Sequence, residues 1–305
     1  MIKYKYFIML AFSALTSTAF AVDGVVEINH TCATHTGCFS GDTVAGYPVT
    51  IDGTAGKSYR LTSDLVIPDN NTTGISITSS FITIDLNGFA IIGAACVGVD
   101  ADCTPTGGSG HGVIAGSSGS VYVGITVKNG SVIGMGLDGI QLRAKYAKVI
   151  NTIIQYNPRF GIWTGSYSQM IHNTVNNNRS TGIYGGNVST ITGNISFNNG
   201  GYGIFSGGGS VITGNTSNGN ESSGIYGIDR SIITGNISGF NTADGIQGGS
   251  GSLVKENTVG DNAEWGLNLA TESSYRENVI SNNTLGNVSN GVNTGYNLCD
   301  GVICP

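Results

Sequence analysis

The chain has 305 residues, 49 of them glycine and 5 proline, and only 10% are charged, against roughly 25% in ordinary soluble domains. So few Lys, Glu, Ala and Leu exclude a helical bundle and leave strand and turn as the building materials. The formal net charge of −6 offers nothing to nucleic acid or to an anionic membrane.

Lys3 and Lys5 precede the apolar run Phe7 to Leu15, and Ala19-Phe20-Ala21 supplies an A-x-A motif. This predicts a signal peptide over 1–21, cleaved after Ala21, and a secreted or periplasmic product. The run is too short to span a bilayer, and no later stretch approaches ~18 uninterrupted apolar residues. Six cysteines follow in three close pairs, Cys32 with Cys38, Cys96 with Cys103, and Cys299 with Cys304. In an exported chain an even count favours disulfides, and neighbour pairs are the simplest of the 15 connectivities that six cysteines allow. A metal site at Cys32, flanked by His30 and His35, is the alternative, although the spacing fits no standard zinc pattern.

The dipeptides Gly161-Ile162, Gly182-Ile183, Gly203-Ile204, Gly224-Ile225, Gly245-Ile246 and Gly266-Leu267 recur every 21 residues without a gap. The same register carries a Ser column from Ser168 to Ser273 and two Asn columns. The first Asn column is Asn173, Asn194, Asn215, Asn236, Asn257 and Asn278, and the second runs from Asn178 to Asn283. Such a period means a solenoid. Only Leu253, Leu267 and Leu269 fall in these six coils, too few for a leucine-rich repeat, whereas β-branched alternation such as Ser189-Thr190-Ile191-Thr192 gives strands. Stacked Asn reads as a structural ladder, its amide donating to the next coil and accepting from the previous one, with the left-handed backbone that Asn tolerates.

Looser repeats extend upstream through Gly139-Ile140, Gly112-Val113 and Gly74-Ile75, with ladder Asn at Asn151, Asn129 and Asn87. The expected organisation is an N-terminal cap over 22–46, a single solenoid of about ten coils over 47–284 with an insertion loop at 94–110, and a C-terminal cap over 285–305.

The pattern Gly-Ile-Tyr…Ser-Thr-Ile-Thr-Gly-Asn-Ile-Ser…Asn-Asn resembles the right-handed parallel β-helix repeats of the pectate-lyase-like superfamily, especially its NosD-like group. The stretches starting at Ser58 and Ile82 are similar to the entry of exported members. The resemblance implies an all-β, single-stranded right-handed parallel β-helix. It specifies activity hardly at all, because members include lyases, glycosidases, epimerases, adhesins and proteins without a known reaction. Gly110-His111-Gly112 looks like the histidine element of polygalacturonases, but the other three elements of that site are missing. No cofactor is expected, and calcium would need an acidic ligand cluster that the sequence lacks.

Two departures from the repeat consensus are candidate sites. One residue after the core Ile stand Trp163, Tyr184, Phe205 and Tyr226, with Gln141 upstream. Alternation turns this column outward, where it suits a sugar chain; the competing reading is aromatic stacking that stabilises neighbouring coils. The second departure is charge: Asp138, Arg143, Lys145, Lys148 and Arg159 lie close together in a nearly uncharged rod. His111 and Asp138 precede the Gly of successive coils and should be neighbours, either as a hydrogen-bonded pair on a solvated edge or as a site. In the second case Arg or Lys neutralises a uronate while His111 or a basic residue moves a proton. Catalytic candidates are thus His111, Asp138, Arg143 and Arg159, expected to converge with the 94–110 loop in one concavity. The functional expectation is an exported monomer that binds a polysaccharide and, if it is an enzyme, acts as a lyase or epimerase rather than a glycoside hydrolase; a non-catalytic surface or adhesin-like protein is the alternative. The Thr192, Thr213, Thr234 column resembles flat ice-binding arrays but covers too few coils.

Overall fold

A computed structural model describes residues 24–54, 56–96, 103, 105–116 and 122–304. The expected signal peptide and, within the insertion loop, residues 97–102 and 104 lie outside these residues. The described chain winds into an all-β solenoid of about 11 turns, with one short helical turn at Cys32–Thr36. No helix among the described residues is long and apolar enough to cross a membrane.

Each regular coil places one three-residue strand in an eleven-stranded sheet and two in a 22-stranded sheet that forms the rest of the wall. Pairing is parallel and in register, so that Ile162 faces Ile183, Ile204, Ile225, Ile246 and Leu267 in turn. These residues are completely buried. A second buried stack comes from the other wall, through Val149, Met170, Ile191, Ile212, Ile233 and Val254. Strands of three residues suffice because side chains alternate: in the eleven-stranded sheet the first and third positions face inward, as in Ile183–Gly185, and in the other wall the middle one does, as in Thr190–Thr192.

The columns of Asn and Ser are interior hydrogen-bond ladders. Asn194 Nδ2 donates to Asn215 Oδ1 at 2.9 Å and Asn215 Nδ2 to Asn236 Oδ1 at 3.0 Å, and the series ends on Asn297. The second column behaves alike, from Asn157 through Asn178 to Asn283. Every amide points the same way along the rod. The ladder Asn residues are not the left-handed ones, however. Positive φ falls one residue earlier, at His172, Gly193, Gly214, Gly235, Glu256 and Glu277, because the chain must turn the corner before the amide can point inward. For the same reason Asn87, Asn129 and Asn151, all at positive φ, stand outside the buried ladder, whose upstream end is Thr152 donating to Asn173 Oδ1.

The coil-starting glycines have a different cause. A Cβ on Gly203 would collide with Ser217 Oγ and Asn220 Nδ2, and Gly182 and Gly224 meet the equivalent pair. That buried serine donates to a glycine carbonyl at 2.7 Å, as Ser217 does to Gly224. The glycine column therefore makes room for a polar cluster inside the rod. Disulfides close Cys32–Cys38, Cys96–Cys103 and Cys299–Cys304, which removes the thiolates that a metal at Cys32 would need.

Candidate functional site

The turn before the eleven-stranded sheet presents His111, Asp138 and Phe160 on successive coils, because each directly precedes the Gly that starts a strand. Asp138 is fully buried. Arg159 donates to it from Nε at 2.7 Å and also from Nη2. Gln141 Nε2 donates at 2.7 Å and the Phe160 N–H at 3.1 Å. His111 Nδ1 lies 3.3 Å from Oδ2, off the line of a hydrogen bond. Burial opposes ionisation of Asp138, but the hydrogen bonds and charge of Arg159, with His111 beside it, outweigh burial and hold the carboxyl below its usual range. With its lone pairs occupied and no exposure, Asp138 is built to position Arg159, Gln141 and the His111 ring, not to touch a ligand.

Arg143 joins from the far end of the strand. Its guanidinium lies over the Trp163 ring, 4.3 Å from the centroid, and Arg159 approaches the same ring at 5.2 Å. Nε of Arg143 is buried without a hydrogen-bond partner among the described residues, whereas Arg159 is committed to Asp138. Arg143 is thus the cation of the group that has no carboxylate partner among the described residues. Lys148, close in sequence, belongs to the other wall, where it pairs with Thr126 and Gln169, and does not contribute.

From Trp163 a half-buried aromatic stripe runs along the rod, with Trp163–Tyr184 at 5.8 Å, Tyr184–Phe205 stacked at 4.8 Å and Phe205–Tyr226 at 5.3 Å. Phe160 and Tyr202, which the sequence reading missed, widen it, at 5.2 Å from Trp163 and 5.6 Å from Phe205. The available signal was an aromatic three residues before Trp163 and Phe205, in Phe160-Gly-Ile-Trp163 and Tyr202-Gly-Ile-Phe205. Gln141 continues the column in register with Trp163, but only 3% of it is exposed, so it braces Asp138 rather than offering a contact.

The described part of the insertion loop does not close over this group. It is tied to Asn70 through Thr106 and to Arg179 through the Pro105 carbonyl. The hollow beside it, about 370 Å³, is lined by Cys103, Pro105, Tyr156, Arg179 and Glu221 among others, not by His111 or Trp163. Among the described residues the stripe is therefore open, with this hollow to one side of it.

Residues 101–238 match the family model described as a right handed beta helix region. The fold is a right-handed parallel β-helix. No curated protein matches the sequence. Among solved structures, the β-helix is similar to the mannuronan C-5 epimerase AlgE6 A-module of Azotobacter vinelandii, at 14% identity and TM-score 0.57 over 92% of this chain and 91% of that one. A double mutant of the periplasmic alginate epimerase AlgG gives 16% identity and TM-score 0.54 over 92% and 78%. The GH136 lacto-N-biosidase from Eubacterium ramulus gives 12% and 0.51 over 76% of this chain and 51% of its own. At these identities the likeness is one of fold.

Proposed function

We propose that the aromatic stripe binds a polysaccharide bearing carboxylates, with Arg143 and Trp163 as its anchor. The observation that carries this is the guanidinium of Arg143 lying on Trp163 with no carboxylate partner among the described residues, at the head of a line of rings matched to the C–H faces of sugars. A half-buried guanidinium gains from the arrival of an anion. The neighbours named as epimerases of mannuronan and alginate are compatible with this reading, as are three disulfides with an exported setting. His111, held beside Asp138, is the group placed to move a proton should a lyase or epimerase step occur.

Calorimetric titration of oligouronates tests the reading. Arg143→Ala and Trp163→Ala should each weaken binding about tenfold or more, and affinity should fall with added salt. A panel of acidic glycans with no binder, or variants that bind like the parent, would overturn it.

A further inference from the structure

The four residues Asp138-Gly139-Ile140-Gln141 recur as Asp244-Gly245-Ile246-Gln247, and the two copies bracket the stripe. Gln141, Trp163, Tyr184, Phe205, Tyr226 and Gln247 are consecutive partners in one register, so the brackets stand five coils or about 24 Å apart. The second copy repeats the construction of the first. Asp244 is fully buried, accepts from Gln247 Nε2 at 2.6 Å and from the Trp265 N–H at 3.0 Å.

Its surroundings carry the opposite charge. Where Arg159 grips Asp138 from the next coil, the equivalent residue after Asp244 is Glu264, which is exposed. Asn268 Nδ2 supplies the remaining hydrogen bond at 2.9 Å, and Ser223 takes the place of His111. Along the neighbouring column Arg179 gives way to Glu221 in the same direction. One end of the stripe is therefore cationic and the other anionic and amide-lined.

Resting on the function proposed above, we infer that the ligand is a mixed glycan bound in one direction, with an acidic ring at Arg143 and Trp163 and uncharged rings at Gln247, Asn268 and Trp265. A uniform polyuronate long enough to cover the stripe would bring a carboxylate up to the exposed Glu264, with the buried Asp244 charge behind it, and like charges brought together discriminate strongly against a wrong ligand. The half-buried Gln247 and Asn268 offer amide groups to sugar hydroxyls.

Calorimetric titration with two probes of equal length decides the matter: a pentauronate, and a pentasaccharide with one terminal uronate and four neutral hexoses. The mixed probe should bind about tenfold more tightly at low salt, and Glu264→Gln, a surface change outside the hydrogen-bond network, should narrow that ratio; Asp244→Asn should narrow it further if it folds. A pentauronate that binds as well as the mixed probe, with binding still lost in Arg143→Ala, would overturn the mixed-glycan inference and leave the anchor standing. A ratio unmoved by Glu264→Gln would also overturn it. Binding of neither probe would overturn both.

Discussion

Arg159 reaches back one coil to Asp138 and meets both carboxylate oxygens, while its outer face lies along Phe160 and Trp163. One side chain thus couples a buried anion to the stripe. Asp138→Asn should lower stability by about 3 kcal/mol, because it leaves a partly buried guanidinium without its counter-charge. Since the folded-state pKa of Asp138 is depressed below the unfolded value of about 3.9, this contribution is fully present above that value and is lost as pH falls through the lower, folded one. Thermal melts should show a constant gap between parent and variant above about pH 5 that shrinks in acid. A gap that persists undiminished at pH 2 would show that charge is not its source.

Asn215 accepts from both the N–H and the Nδ2 of Asn194 and donates to Asn236 and to the Ile191 carbonyl. Asn215→Ala orphans buried donors and acceptors at once, at about 1–3 kcal/mol for each group left unmade. Asn215→Asp should fare little better, because a carboxylate cannot donate onward. Melting temperatures of both variants, set against Thr192→Ala on the outer surface, check this; equal small losses in all three would contradict a buried ladder.

Two glycines eleven residues apart are required for unrelated reasons. Gly214 has φ of +63° with nothing within 4 Å of an added Cβ, whereas Gly203 collides with Ser217 and Asn220. Gly214→Asn should be nearly neutral, since Asn accepts the left-handed region. Gly203→Asn should unfold the coil, and even Gly203→Ala should cost about 1–3 kcal/mol through overpacking. Melting the three variants tests the distinction.

The 21-residue register made the solenoid readable, because the Gly, Ser and Asn columns each repeat one residue type and the apolar columns keep their character from coil to coil. What the register hides is displacement by one position. Asn129 and Asn151 look like ladder members but occupy the left-handed corner, and Gln141 looks like part of the stripe but is sealed against Asp138. Partners fixed by side-chain reach are equally hidden: nothing in the spacing of Lys148 and Arg143 reveals that one faces the opposite wall while the other lies over Trp163. Asp244 and Gln247 were in plain view as a second copy of Asp138 and Gln141, yet a buried carboxylate surrounded by amides looks like any scarce acidic residue until the coils are stacked.

Because both Asn ladders run in one direction and each coil of the 21-residue register offers the next the same strand edges and amides, the rod can gain or lose a whole period without breaking its ladders. Removing one 21-residue unit between Trp163 and Tyr226 would take out one ring and draw the Asp138 and Asp244 ends about 5 Å closer. The distance between those ends is thus counted in coils, and the solenoid acts as a ruler whose graduations are set by gene length.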